Sequence, residues 1–376
     1  MELHTIGIDL GKTVFHLVGL NLRGEVVVRK KYSRKQLLHF TANLHVALIG
    51  MEACGGAHFL GRTLREQGHE VRLIPAQYVK PYVKTNKNDY IDAEAIAEAV
   101  GRPRMRFVPI KSDDQLDLQS VHRVRERRVM RRTAVINQIR GLLLERGITV
   151  RKGRCHVEAA LPGILEDADT KLSGALRVLL AQLQLEMKLL QNQIDEVDTV
   201  IKHTAVENEA CRRLVAIPGI GPLTATAVIA AIGNGAAFDK GRGFAAWLGL
   251  VPGEYTTGGK QKLLGISKRG NSYLRRLFIQ GAQAVLQYRS KQSFGLRAWL
   301  AQLTLRAHHN VVAVALANKL ARMAWAVLAK GEIYRPPLLA QTAGVRHDWP
   351  ANDAWQERRG NRIRDSHICR PSAAAD

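Results

Sequence analysis

The sequence predicts a multidomain α/β plus α protein, and three observations carry that reading. Short apolar runs separated by turn sequences and helical patterns fill roughly the first 100 residues, as in a mixed sheet covered by helices. Beyond residue 110 the apolar spacing turns helical over long stretches, one of them a leucine seam. At 376 residues the chain also exceeds what a single hydrophobic core ordinarily serves. The expected division is an α/β domain at 1–110, a basic helix and coiled-coil region at 111–205, a mainly helical domain at 206–335 and a mobile tail at 336–376.

Fifty-six Lys and Arg against 33 Asp and Glu give a formal charge of +23 and a pI near 10.3. An excess of that size favours a polyanionic partner, of which nucleic acid is the obvious one. It is concentrated: residues 206–335 carry a net +13, whereas 161–205 form an acidic island at −3. No run of about 18 apolar residues occurs, and Met1-Glu2-Leu3-His4 lacks the basic and apolar regions of a signal peptide. The expectation is a cytoplasmic, nucleoid-associated protein with no membrane partner. Cys54, Cys155, Cys211 and Cys369 show no paired spacing, so reduced thiols are expected rather than a disulfide framework or a zinc site.

Residues 3–32 read as three strands, Leu3 to Leu10, Thr13 to Leu20 and Glu25 to Tyr32, joined by turns at Gly11-Lys12 and Asn21-Leu22-Arg23-Gly24. Ser33 caps a helix running to Asn43, Val46 to Met51 is a short buried strand, Gly56 to Gln67 a helix and Glu70 to Ile74 a strand. Asp89 opens an alanine-rich helix. That order of elements is the order of a ribonuclease H-like fold, in which the ends of the first and fourth strands and the last helix converge on one edge of the sheet.

Acids fall at each of those places. Asp9 closes the first strand in Ile6-Gly7-Ile8-Asp9, and Glu52 follows the fourth in Met51-Glu52-Ala53. Asp89 and Asp92 are three residues apart, on one helical face. Taken singly, each reads equally well as a solvated turn or cap residue. Together they suit two Mg²⁺ ions, or Mn²⁺ in their place, roughly 3.5–4 Å apart, which stabilise attacking and leaving oxygens in phosphoryl transfer. Glu94 and Glu98 read as helix-surface residues.

A helical pattern from Asp113 to Gly147 carries Arg123, Arg125, Arg127, Arg128, Arg131 and Arg132. Six arginines in ten positions exceed the carboxylates at hand, which points to a phosphate backbone. Leu172, Leu176, Leu179, Leu183, Leu190, Ile194, Val197 and Ile201 then recur as a coiled-coil seam, whose partner is the preceding helix folded back, a second subunit, or both. Ile217-Pro218-Gly219-Ile220-Gly221-Pro222 matches a helix-hairpin-helix hinge, whose free amides at Gly219 and Gly221 suit a DNA phosphate. Further on, Tyr255-Thr256-Thr257-Gly258-Gly259 forms a hydroxyl-bearing glycine loop among Lys260, Lys262, Lys268, Arg269, Arg275 and Arg276. Such a loop either holds phosphates through its amides or presents a nucleophile to one. Residues 274–330 read as largely helical, with Trp299 and Trp325 in the core.

These residues resemble the insertion-sequence transposases of the DEDD type, the bridge-RNA-guided (seeker-RNA-guided) DNA recombinases, over roughly residues 3–335. The resemblance rests on Ile6-Gly7-Ile8-Asp9, Met51-Glu52-Ala53, Lys87-Asn88-Asp89-Tyr90-Ile91-Asp92-Ala93, Ile217-Pro218-Gly219-Ile220-Gly221, Gly249-Leu250-Val251-Pro252, and Thr257-Gly258-Gly259 with Ile266-Ser267-Lys268-Arg269-Gly270. It implies a RuvC-like N-terminal domain, a coiled-coil dimerisation element and a C-terminal transposase domain. The family's acid tetrad falls on Asp9, Glu52, Asp89 and Asp92. Its catalytic serine, which forms a covalent intermediate with DNA, falls on Thr257, preceded by Thr256; Ser267 belongs to a different motif. Threonine keeps the hydroxyl and adds a methyl that restricts its rotamer. The resemblance further implies a structured noncoding guide RNA, donor and target DNA duplexes, and a dimer of dimers with a composite active site.

Three other readings compete. A metal-dependent nuclease or junction resolvase would use the same acids with water as the nucleophile. Ile8-Asp9-Leu10-Gly11-Lys12-Thr13 also looks like the first phosphate loop of actin-like kinases, but the second loop such a fold requires is missing. A non-enzymatic hairpin-helix nucleic-acid-binding protein fits if the threonine loop is inactive.

Overall fold

The computed structural model describes residues 3–45, 47–84 and 88–336. The described residues fall into two compact units, each drawn from segments distant in sequence: one takes those up to residue 118 with 228–270 and 321–332, the other 119–227, 271–320 and 333–336.

In the first unit, β1 (Thr5–Leu10), β2 (Val14–Leu20) and β3 (Val26–Ser33) form the expected antiparallel meander. β4 (Leu48–Glu52) pairs parallel to β1, and β5 (Glu70–Ile74) parallel to β4. The sheet order is β3-β2-β1-β4-β5. Residues on either side of each strand alternate between two apolar layers. On one face Ile6, Ile8, Leu17, Ile49, Met51 and Leu73 are fully buried with Leu37 of α1 (Arg34–Ala42) and Leu64 of α2 (Ala57–Glu66). α1 starts where predicted, because Ser33 and Gln36 form a reciprocal capping box. A short helix, α3 (Ala76–Val79), follows β5.

On the opposite face lies α4 (Asp89–Val100), and it lies unusually close. A Cβ on Gly7 would stand 2.0 Å from the carbonyl oxygen of Ala93, and one on Gly50 would stand 2.7 Å from Val100 Cβ. Gly7 and Gly50 are register partners in β1 and β4. The alanine-rich face of α4 therefore rests on a glycine-floored patch, with Ala93 and Ala97 fully or almost fully buried. The same unit holds α10 (Gly241–Trp247) and the antiparallel hairpin β6 (Pro252–Thr257) and β7 (Lys260–Ile266). This hairpin corrects the expectation of a loop. Gly258 and Gly259 have φ of 57° and 75°, the paired positive values of a tight two-residue hairpin turn. Trp325 is half-buried, less than the core position expected, and donates its ring N–H to the carbonyls of Gly235 and Phe238 at 3.1 Å.

The second unit is helical. α5 (Asp113–Leu144) enters it, α6 (Arg154–Glu166) follows, and α7 (Gly174–Glu207) returns antiparallel to α5. Val135, Ile136, Ile139 and Leu143 of α5 pack with Leu176, Leu180, Met187 and Leu190 of α7. The seam thus has the folded-back partner that was one of its expected alternatives. Its register differs at one place: Leu180 is fully buried and Leu179 is 52 % exposed. α8 (Glu209–Val215) and α9 (Pro222–Ile232) flank the glycine hinge, and α11 (Ser272–Gln287), α12 (Phe294–Arg306) and α13 (His309–Lys330) make 274–330 largely helical, as predicted. α13 is long and apolar enough to cross a membrane, but Val312, Leu316, Leu320 and Ala324 recur at four-residue steps and are buried, the pattern of a packed helix. Cys54 and Cys211 are free thiols, in keeping with the expectation, and Cys369 lies outside the described residues. The expected mobile tail, from 337 onward, lies outside the described residues.

His122 of α5 joins three helices. Thr226 of α9 donates its hydroxyl to the Pro222 carbonyl, so at 3.1 Å it accepts from His122 Nε2–H, and Tyr273 of α11 donates to Nδ1 at 3.0 Å. That network needs a neutral imidazole, and burial with the Arg125 charge nearby pushes its pKa down to about 4.

Two measurements test these packing arguments. Gly7→Ala should lower the urea unfolding free energy by about 3 kcal/mol or more, against about 1 kcal/mol for Ile8→Val in the same strand, because overpacking here meets backbone rather than a yielding side chain. For His122 the folded pKa lies below the unfolded value, so the unfolded chain takes up a proton first and stability falls as pH drops from about 6.5 towards 4. The Tm decrease between pH 7 and pH 5 should be smaller in His122→Gln than in the wild type.

Candidate active site and nucleic-acid interface

The ends of β1 and β4 and the start of α4 meet at one edge of the sheet, and the four predicted acids sit on those three elements. Asp9 is the penultimate residue of β1, and Glu52 the last of β4. Asn88 caps α4 by accepting the Tyr90 N–H at 2.9 Å, which fixes the first turn and the two aspartates on it. Burial pushes the Asp9 carboxyl above its usual range, and the negative charges of Asp92 and Asp89 push it further. Burial likewise raises the Cys54 thiol, followed by the charges of Glu52 and Asp9. Asp89 and Asp92 thus act electrostatically on Asp9, and Cys54 lies within reach of the charges of both Glu52 and Asp9. Among the described residues, no three His, Cys, Asp or Glu side chains converge into a ligand shell.

His16 was not singled out in the sequence. It stands opposite Asp9 in the β1–β2 register, its Nδ1 is 3.5 Å from Asp89 Oδ2, and it meets the Tyr90 ring edge-on at 4.8 Å. The meander register was its only sequence signal. Glu94 pairs with Arg29 at 2.9 Å, and Glu98 with Arg102 at 2.8 Å, in keeping with surface roles.

The hairpin sorts the two threonines by face. Residues opposite one another in an antiparallel pair share a face. Thr257 faces Lys260 and Tyr255 faces Lys262, so one face carries a hydroxyl, a phenol and two ammonium groups, all exposed. Thr256, on the other face, faces Gln261 and donates its hydroxyl to Glu254 Oε1 at 2.7 Å. Bonds from Thr256 and Gln261 lower the Glu254 pKa. The Ser267-Lys268-Arg269-Gly270 segment anchors the hairpin: Ser267 N–H donates to Val251, Lys268 N–H donates to Gly249, and a Cβ on Gly270 would fall 1.8 Å from the Trp247 carbonyl oxygen. Ser267 is therefore held in the hairpin's base, away from its tip.

The arginines of α5 divide in two. Arg125 pairs with Asp198 of α7, Arg128 donates to the Gln193 carbonyl at 2.8 Å, and Arg132 donates to Gln191. The expectation that they exceed their internal partners fails for these three, because the returning α7 supplies acceptors that sequence distance concealed. Arg123, Arg127 and Arg131 recur every four residues as an exposed stripe, Arg131 also pairing with Glu186 at 3.0 Å. Arg276 pairs with Glu126 and lies over the Tyr273 ring at 5.6 Å, while Arg275 is half-buried and Arg269 exposed. In the hinge, a Cβ on Gly219 would meet the Gly281 carbonyl oxygen at 2.7 Å, so this glycine serves close packing; Gly221 is exposed, with open space around it.

A mixed sheet with acids at one edge, in a strongly basic chain, suits phosphoryl-transfer chemistry on a polyanion, and the chain's matches among known families name the class as DNA transposase. Residues 6–147 match the profile of the DEDD transposases of the IS110 type, and residues 211–294 that of the transposase IS116/IS110/IS902 family. A probable family 20 transposase of Pseudomonas aeruginosa is 47% identical over 337 residues, covering 89% of this chain and 100% of the relative. The transposase for insertion sequence element IS1328 of Yersinia enterocolitica is 43% identical, covering 88% and 98%. The transposase for IS1111A of Coxiella burnetii is 42% identical, covering 89% and 92%. The chain belongs to the IS116/IS110/IS902 family of insertion-sequence transposases.

A DEDD transposase domain implies a divalent metal. The donor chemistry suits one, since carboxylates are hard oxygen ligands, and a cation would relieve the Asp9 carboxyl, which burial and then the charges of Asp92 and Asp89 raise; the side chains are not drawn together into a ligand shell.

Proposed function

We propose that this transposase is an RNA-guided recombinase that exchanges strands by transesterification through a protein–DNA intermediate, with Thr257 as the nucleophile. The observation that carries the proposal is the joint placement of Asp9, Asp89 and Asp92 at the sheet edge, with Glu52 beside them, in the order of the family's tetrad. Those four residues would hold Mg²⁺ or Mn²⁺, which supplies charge neutralisation at the scissile phosphate when bound. Thr257 Oγ1 attacks phosphorus and gives up its proton, and the bond to a deoxyribose oxygen breaks, leaving a phosphothreonyl ester and a free hydroxyl end. A hydroxyl end from the second duplex then attacks the ester and restores Thr257. Its place opposite Lys260, on the face that also carries Lys262, supports Thr257 over Thr256, since a phosphate approaches cations and avoids the Glu254 carboxylate. Thr256 keeps one argument of its own: a hydroxyl bonded to a carboxylate is a nucleophile beside a base.

Guide RNA and the two duplexes would lie against Arg123, Arg127 and Arg131, the hinge at Gly221 and the lysines of the hairpin. The charge excess supports this, together with the lack of an obvious base-reading module in the sequence, since pairing with RNA would do the reading. Self-association is supported by a second stripe on α7. Val178, Leu185, Leu189 and Val200 lie within one helical face and are 58 %, 65 %, 58 % and 49 % exposed, the pattern of a coiled coil awaiting a second subunit.

Purified protein, the element's noncoding RNA and two duplexes should give strand exchange, and denaturing gels should show a protein–DNA adduct that vanishes in Thr257→Ala. Persistence of the adduct there with its loss in Thr256→Ala would move the nucleophile by one residue. Asp89→Asn and Asp92→Asn should each lower exchange by 100-fold or more, roughly the scale of losing one preorganised charge; undiminished exchange in both would refute the metal-site assignment. Leu185→Glu with Leu189→Glu should shift the protein to a smaller species in light scattering, with its α5–α7 core intact by circular dichroism.

A further inference from the structure

Immediately beyond the strand ends that carry Asp9 and Glu52, the first unit has a half-open cavity of about 360 Å³. Lys12, just past β1, Arg34 at the start of α1, and Gly55 and Gly56 before α2 form its rim, and Phe15 is among its apolar floor residues. Phe59 stands at its mouth, 48 % exposed, although it belongs to a helix whose Ala57, Leu60 and Leu64 are buried. The Arg34 guanidinium lies 5.9 Å from the Phe15 ring centroid and 5.7 Å from that of Phe59, so a cation stands over both rings. Nothing lies within 4 Å of where a Cβ would stand on Gly55 or Gly56, which leaves their backbone open to approach. Gly56 caps α2 without a side chain, so the first amides of that ten-residue helix receive no side-chain acceptor.

We infer that this cavity seats one unpaired nucleotide of the DNA strand next to the scissile phosphate. A nucleotide has two parts with opposite needs. Its phosphate requires cations and amide donors, which Lys12, Arg34 and the start of α2 supply; its base requires an aromatic face over an apolar floor, which Phe59 supplies. The volume lies at the small end of ligand clefts, about 300–1,000 Å³, and admits one nucleotide but no base pair. No Asn, Gln, Asp or Glu lines it, so the seat holds any base without reading its edge. Its position at the acidic edge makes the seated nucleotide a neighbour of the reacting phosphate, and in this the inference rests on the proposed role of that edge. Holding such a nucleotide out of the duplex keeps the strand open where exchange occurs.

The test uses the full-length protein and a duplex with a single-stranded overhang containing iodouracil. Irradiation followed by peptide mapping should place the crosslink on the peptide containing Phe59, and Phe59→Leu should abolish it. Phe59→Leu and Arg34→Gln should each raise the Kd for the overhang about ten-fold, as the loss of one stacked base does, and leave the Kd for a blunt duplex unchanged. Both variants should melt within a few degrees of the wild type, since one residue is exposed and the other lies on the rim. Crosslinks confined to other peptides, with wild-type overhang affinity in both variants, would overturn the inference. Crosslinking and binding require no catalysis, so Asp89→Asn protein should give the same adduct; its loss of strand exchange bears on the acids' role and leaves the nucleotide seat to be judged separately.

Discussion

Gly7 and Gly50 stand opposite each other in neighbouring parallel strands, and neither leaves room for a Cβ beneath α4. That close approach sets the height of the helix over the sheet. It also sets where the first turn of α4 ends up, because Asp89 and Asp92 ride on a helix whose Ala93 and Ala97 are pressed against the strand carrying Asp9. The distance between the acids of the strand and those of the helix is thus a packing distance, held by backbone against backbone. Long side chains at this interface would have left it to rotamers. Interiors resist changes of even one methylene, so the site inherits the stiffness of the core it rests on.

Much of the α/β region is legible in the sequence because each element carries a local signal. Ser33 and Gln36 announce a helix start, Asn21 to Gly24 a turn, and the apolar run of β1 a buried strand. The acids are legible for another reason, since element order alone brings the two strand ends and the helix start to one edge. What local pattern leaves out is reach across the chain. Asp198 lies 73 residues from Arg125 and becomes its partner only when α7 folds back. His16 looks like one more polar residue of a meander strand until the register sets it opposite Asp9. Leu179 and Leu180 show a finer limit: two adjacent leucines fit a seam equally well, and the packing of α5 decides between them.

The threonine segment shows how a mistaken element type hides chemistry. As a loop, Thr256 and Thr257 are equivalent neighbours. As a strand they point to opposite faces, one beside lysines and one beside a glutamate. The two consecutive glycines were the missed sign, since a pair of positive φ values is what a two-residue hairpin turn needs. The basic segments divide in a similar way. Helical periodicity separates the Arg123, Arg127 and Arg131 stripe from arginines that hold the α5–α7 hairpin together, so the net charge available to a polyanion is smaller than the composition implies.

The discontinuous make-up of the first unit bears on how the protein comes off the ribosome. Its sheet is complete once residue 74 has emerged, yet Trp325 must still bond to Gly235 and Phe238 before that unit is finished. Contacts of such long sequence separation close late and slowly. A nascent chain therefore displays the strands that carry Asp9 and Glu52 long before the 228–270 and 321–332 segments of the same unit are made, so that unit is completed in two stages during synthesis.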